Sequence, residues 1–194
     1  MRLNNQIKIL KMKKLIVLLA FVSISCMGNA QKKAAINWMT LEEAVAAQAK
    51  EPRKIIMDMY TTWCGPCKML DKNTFHNEDV ANYINKNYYA VKFNAEGNEV
   101  VKFKDRTFTN PNYDPAKAKR RNSGHQLAGY FRVQAYPTMV FLDEKADLIT
   151  PIRGYHTPNQ LELYLKFFAT RDLKKTTKED WQQYQKDFKP TFKI

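Results

Sequence analysis

The segment Lys54-Ile-Ile-Met-Asp-Met-Tyr-Thr-Thr-Trp-Cys-Gly-Pro-Cys-Lys68 joins an apolar run to a pair of cysteines. Residues 55–60 have the length and composition of a buried strand, and a short turn follows them. The two cysteines, two residues apart, then open a helix. That spacing sets Cys64 at or just before the helix N-terminus and Cys67 one turn further in. Unpaired N–H groups in the first turn carry partial positive charge, which favours a thiolate. A Cys-X-X-Cys pair so placed passes electrons by forming and breaking its own disulfide. One residue of the strand is out of character. Asp58 stands among Ile55, Ile56, Met57, Met59 and Tyr60, and a carboxylate there is costly unless it has a partner or stays protonated. The other reading of Asp58 is the outward face of an edge strand.

Upstream of the segment, Thr40-Leu-Glu-Glu43 has the spacing of a capping box,. Leu41, Val45 and Ala49 recur every four residues, which predicts a helix ending before Pro52,. Downstream, residues 68–73 continue the cysteine helix. Asn77 opens another, with Val80, Tyr83, Ile84 and Tyr88 on a helical period, and residues 89–93 read as the next strand,. Helix, strand, helix, strand suggests a parallel βαβ unit with a right-handed crossover.

Residues 95–122 break this rhythm with Gly97, Pro111, Pro115 and a basic run at 117–121, although 100–103 and 106–108 fit a small hairpin. A connection this long is either a solvated excursion or a flap that contacts a partner at one edge of the active site. Ser123 is expected to start a short helix with Leu127, Tyr130 and Phe131 on one side. Tyr136-Pro137-Thr138 leads into a strand at 139–142, and a turn at 143–146 leads into another at 147–152, with Gly154 after it. Thr157-Pro158-Asn159-Gln160 combines an N-cap, a proline in the first turn and a capping box,. The helix it starts, through about Ala169, buries Leu161, Leu165 and Phe168. A last amphipathic stretch, 177–188, carries Trp181, Tyr184 and Phe188 as a stripe, used either for packing or for docking another protein,.

With 194 residues and 44% hydrophobic content, the chain holds one well-formed domain with additions,. The formal charge is +13, but residues 1–30 contribute five basic residues and no acids, leaving 27 basic against 19 acidic residues and a net of +8. That surplus is spread along the chain and fits a solvated surface, an anionic partner or membrane surface being the second reading. No block suggests a nucleic-acid motif. A basic run at 8–14 precedes apolar residues 15–24, too short to span a bilayer, so residues 1–30 are expected to be a signal peptide cleaved before Gln31,. Met12 is an alternative start. Ser23-Ile-Ser-Cys26 offers a rival lipoprotein signal, with membrane attachment only if Cys26 is lipidated. Either way the domain works outside the cytoplasm, and only Cys64 and Cys67 remain in the mature chain. A structural disulfide across two residues would constrain the unfolded chain little, so a redox pair is the better account. A zinc site would need two further ligands, and His76, His125 and His156 show no paired spacing,. No metal and no cofactor are expected.

Trp63-Cys64-Gly65-Pro66-Cys67 after a buried strand, with Tyr136-Pro137-Thr138 opening a later one, resembles the thioredoxin family. The element order over about residues 40–170, setting aside 95–122, is similar to that of the family. The resemblance implies an α/β thioredoxin fold: a central mixed sheet of four to five strands flanked by helices. The domain would run from 31 to 170, with its insertion at 95–122 and a helical extension at 171–194. Cys64 would be the exposed nucleophile and Cys67 the more buried resolving cysteine. Pro137 would be the family's cis-proline beside the pair, and the backbone at Tyr136 would pair with substrate as an added strand. Asp58, six residues before Cys64, would be the buried aspartate that aids proton transfer, with Lys92 as its accompanying lysine. Trp63, Gly65, Pro66 and Gly154 would complete the substrate groove. Implied partners are protein disulfide substrates and a membrane thiol-disulfide electron donor, in the periplasm of a bacterium. Gly65-Pro66 between the cysteines argues for a reducing poise, near about −270 mV rather than about −120 mV. A disulfide oxidase or isomerase, or a non-catalytic binding or chaperone module, are the alternatives.

Overall fold

The computed structural model describes residues 34–194; the expected signal peptide and Cys26 lie outside the described residues. The strands are β1 (Trp38–Met39), β2 (Lys54–Tyr60), β3 (Tyr88–Asn94), β4 (Val101–Phe103), β5 (Arg106–Phe108), β6 (Thr138–Leu142) and β7 (Leu148–Arg153). Five of them form one mixed sheet in the order β1-β3-β2-β6-β7, and β4 and β5 pair only with each other. β2 lies at the centre, parallel to β3 and antiparallel to β6. The edge-strand reading of Asp58 therefore falls. Its register partners are Lys92 on β3 and Met139 on β6.

Strand alternation divides the core in two. Met57, Met59, Val91 and Val140 pack on one face with Leu41, Leu127 and Phe131. Ile56, Ala90 and Phe141 pack on the other, against Leu70, Val80, Ile84, Leu161 and Leu165. The same period places Asp58 and Lys92 on this second face, under the helix that carries the cysteines.

The helices are α1 (Leu41–Gln48), α2 (Gly65–Leu70), α3 (Glu78–Asn87), α4 (Gln126–Tyr130), α5 (Pro158–Thr170) and α6 (Lys178–Asp187). α2 runs on through a π turn at Asp71–Phe75. Caps fix the starts: Thr40 with Glu43, and Thr157 with Gln160, both close reciprocal capping boxes, while Asn77 accepts from the Val80 N–H,. α1 buries Leu41, Ala44 and Gln48 rather than the expected Leu41, Val45 and Ala49. A polar residue takes the last inward position because Gln48 donates to the Asp143 carbonyl at 2.9 Å, tying the helix end to the β6–β7 turn. The short helix starts at Gln126, not Ser123: His125 is its N-cap, with Nδ1 accepting from the Leu127 N–H at 3.0 Å. β1, a two-residue bridge to β3 inside the stretch read as a lead-in, was too short to show a period.

Two further readings are decided by packing. The β4–β5 hairpin buries Val101, Phe103 and Phe108 in the first core cluster, so this part of 95–122 is a structural element and not a solvated excursion. The aromatic stripe of α6 lies on α5, with Trp181 4.6 Å and Tyr184 4.9 Å from the Phe167 ring. Such pairs add about 0.5–1.5 kcal/mol each beyond burial. The C-terminal residues then fold back, and the buried Glu162 carboxylate accepts from the N–H groups of Thr191 and Phe192.

Candidate active site

Residues 61–67 leave the end of β2 and turn into α2. Cys64 is the N-cap, with extended backbone (φ −73°, ψ 110°), and its Sγ accepts from the Cys67 N–H at 3.1 Å. A sulfur in that place sits where serine or aspartate oxygens cap other helices. Negative charge on it is stabilised by the donated N–H and by the helix terminus. Pro66 in the first turn lacks an N–H that would have gone unpaired there anyway,. Cys64 and Cys67 are bonded to each other, with an S–S distance of 2.11 Å.

The expected contrast in exposure is absent. Cys64 is 3% and Cys67 5% exposed, because in the disulfide the Cys64 sulfur turns back toward the helix. What distinguishes the two is what each faces. Cys64 opens on a cleft of about 650 Å³ lined by Trp63, Gly65, Pro66, Glu96, Arg121 and Tyr136, among others. Cys67 opens on a separate pocket of about 230 Å³, lined by Asp58, Tyr60, Thr61, Lys68, Asp71 and Lys92.

The cleft is walled by an aromatic pair, Trp63 edge-on to Tyr136 at 6.2 Å. Burial and the Glu96 carboxylate push the Tyr136 hydroxyl up to about 12, so it stays a neutral donor. Glu96 is buried and holds the wall together, accepting from the Trp63 indole N–H at 2.6 Å and the Asn122 N–H at 2.8 Å. The Tyr136–Pro137 peptide bond is cis. Pro137 is buried behind Tyr136, and its carbonyl accepts from the Gly154 N–H at 2.8 Å. Neither Pro137 nor Gly154 is among the residues lining the cleft. Gly154 thus braces the proline loop from β7 instead of lining the groove, and its φ of +92° is the conformation that calls for glycine,.

Behind Cys67 lies a group of ionisable side chains, Asp58, Asp71 and Lys92. Asp58 is 3% exposed and its Oδ1 has no hydrogen-bond partner, as is true of the Thr61 hydroxyl in the same pocket. Burial pushes the Asp58 carboxyl up to about 7, against the field of Lys92, with Asp71 adding to the rise. Lys92 faces Asp58 in register but does not pair with it. Its ammonium is held by Asp71 and lies 5.3 Å from the Trp38 ring and 5.6 Å from the Tyr60 ring. The sequence reading missed Asp71, although a residue four after Cys67 lies on the same helix face. It also missed Glu96 and Asn122, for which no local pattern exists, while Arg121 belongs to the basic run noted at 117–121 without having been assigned to the site.

A thioredoxin-like domain family matches residues 41–169. The thiol:disulfide interchange protein DsbD of Pectobacterium atrosepticum is 23% identical over 126 residues, 64% of this chain and 18% of that protein. The thiol-disulfide oxidoreductase ResA of Bacillus thuringiensis is 25% identical over 112 residues, 58% of this chain and 61% of its own. The chain therefore spans less than two thirds of the length of either relative. Among solved structures, a thioredoxin-fold protein from Helicobacter pylori superposes with a TM-score of 0.54 at 19% identity, covering 75% of this chain and 93% of its own. A thioredoxin from Thermus thermophilus gives 0.52 at 16% identity, covering 70% and 88%. At such identities these two speak for the fold alone. The family match extends over well more than half of the sequence, and the chain belongs to the thioredoxin-like domain family.

Proposed function

We propose that the protein is an exported thiol-disulfide oxidoreductase that reduces protein disulfides through Cys64 and Cys67. The observation that carries this reading is the division of labour around the pair: an N-cap sulfur facing a large cleft with aromatic walls, and a second sulfur facing a smaller pocket with a high-pKa carboxylate. The names of the curated relatives support the reaction class, and the apolar run before residue 30 supports export.

The Cys64 thiolate attacks one sulfur of the substrate disulfide, and the other substrate sulfur leaves with the bonding pair and takes up a proton. Cys67 then gives its proton to ionised Asp58 and attacks the Cys64 sulfur. The Cys64–Cys67 disulfide forms, the second substrate sulfur leaves, and two electrons have passed to the substrate. A carboxyl group titrating near 7 is present in both forms at neutral pH, so it serves as base in this step and as acid when the pair is recharged. Recharging takes two electrons from a dithiol donor, for which a membrane thiol-disulfide carrier is the proposed source.

Reduction of insulin disulfides with dithiothreitol as donor tests the activity, with Cys64→Ser as the inactive reference. No thiol-dependent turnover by the wild type would sink the reading. Equilibration against glutathione buffers tests direction, and a midpoint above about −180 mV would make the protein an oxidant or isomerase instead.

Asp71 enters the same scheme by position. Asp71→Asn releases the Lys92 ammonium toward Asp58 and removes a neighbouring negative charge, and both changes favour ionised Asp58. The acid limb of the pH–rate profile is expected to move down by about one unit, since a close opposite charge lowers a carboxyl pKa by about 1–3. Stopped-flow measurement of the resolving step between pH 5 and 9 reads this directly, and an unmoved limb would show that Lys92 stays where it is.

A further inference from the structure

The stretch between β5 and α4 carries four cations in five positions, Lys117, Lys119, Arg120 and Arg121. It is tied to the cleft. The Thr62 hydroxyl donates to the Ala118 carbonyl at 2.8 Å, the Arg121 guanidinium lies 4.9 Å over the Trp63 ring, and Asn122 donates to Glu96. These contacts bracket Lys119 and Arg120, which are exposed and have no carboxylate partner among the described residues.

Nearby acids are already engaged. Glu96 is buried beneath Trp63 and Asn122, and Asp114 is paired with Lys117 at 3.2 Å. Gln134, another residue lining the cleft, accepts from exposed Arg153 at 2.6 Å, and Arg153 likewise lacks a carboxylate partner among the described residues. Unneutralised cations therefore adjoin the cleft that holds Cys64 at two points of its lining, Trp63 and Gln134.

We infer that this basic arm selects polypeptide substrates whose reducible disulfide is flanked by aspartate or glutamate residues. The inference rests on the oxidoreductase reading above. A peptide that brings its sulfur to Cys64 must enter the cleft that Arg121 lines, close to Arg153 at Gln134 and to Lys119 and Arg120, which directly precede Arg121 in the chain. Acidic flanks gain from these cations and basic flanks are repelled. Because the cations are solvated, the gain lies in capture and orientation and is sensitive to salt. An anionic membrane would feel the same charges. A polypeptide fits better because the cations adjoin the sulfur-bearing cleft, and the aromatic walls at Trp63 and Tyr136 suit a peptide chain.

Two synthetic peptides, each closed by one internal disulfide and flanked by either Asp-Glu or Lys-Lys pairs, separate the possibilities. Oxidised 2-mercaptoethanol serves as a neutral control. The wild type is expected to reduce the acidic peptide with a kcat/KM about tenfold above that of the basic one at about 20 mM salt, and less than about twofold above it at about 0.5 M. The double variant Lys119→Glu/Arg120→Glu should lose or invert this preference while keeping its rate on the neutral disulfide, which also reports that it is folded. Equal rates for the two peptides, or a preference unchanged in the double variant, would overturn the inference and leave the oxidoreductase reading intact. No turnover on any of the three substrates would overturn both. Binding to phosphatidylglycerol vesicles that the double variant loses, without any peptide preference, would assign the arm to a membrane and overturn the polypeptide reading.

Discussion

Cys67→Ala is expected to attack a substrate disulfide once and remain joined to it. The nucleophile survives the change, because Cys64 is placed by its own extended backbone and its Sγ accepts from the backbone N–H of residue 67, which alanine keeps. What is lost is the sulfur that would attack Cys64 from within the same helical turn. Intramolecular attack of this kind carries an effective molarity of about 10⁵ M or more, so an outside thiol at millimolar concentration cannot replace it. Turnover should fall by at least about a thousandfold, while a stoichiometric adduct accumulates that dithiothreitol dissolves. Non-reducing electrophoresis and mass spectrometry of the adduct check both points. Since the two cysteines are buried to nearly the same degree, exposure does not identify the attacking one. An adduct formed instead by Cys64→Ala through Cys67 would reverse the assigned roles.

What could be read from the sequence follows from the range of the interactions involved. The caps at Thr40, Asn77 and Thr157 pair a side chain with a backbone group three residues on, so they are written in adjacent letters. β2 could be recognised because burial on both faces makes a continuous apolar run,. β1 could not, since its two residues owe their strand geometry to β3, some fifty residues later. The basic run 117–121 was visible, but its place beside Trp63 depends on Glu96 gripping both Trp63 and Asn122. Lys92 shows the same limit more finely. Register puts it beside Asp58, yet its long side chain reaches over to Asp71 on the cysteine helix. A residue number fixes a strand face; it does not fix where a flexible ammonium ends.

That diversion leaves Asp58 as a buried carboxyl with an unpartnered oxygen, and Asp58→Asn is expected to act on stability and rate together. The wild-type carboxyl titrates near 7 when folded, against an ordinary value of 3.8. Below about pH 4 both folded and unfolded chains carry the proton. Between about 4 and 7 the unfolded chain releases it and the folded chain keeps it, so the wild type loses stability as pH rises through this range. At 1.36 kcal/mol per pH unit, about 2–3 kcal/mol of that loss falls between pH 5 and pH 8. Asparagine cannot ionise, so urea titrations of oxidised Asp58→Asn should show that pH dependence removed, with the variant gaining on the wild type by this amount at pH 8. The same substitution removes the proposed base for Cys67. Its resolving step should slow by about a hundredfold near pH 7 and lose the rise through pH 7, following only the ionisation of Cys67 itself at higher pH. A variant that gained stability at alkaline pH but resolved mixed disulfides at the wild-type rate would leave Asp58 a structural oddity. One that lost both pH dependences would make the buried charge the cost of its proton-transfer role.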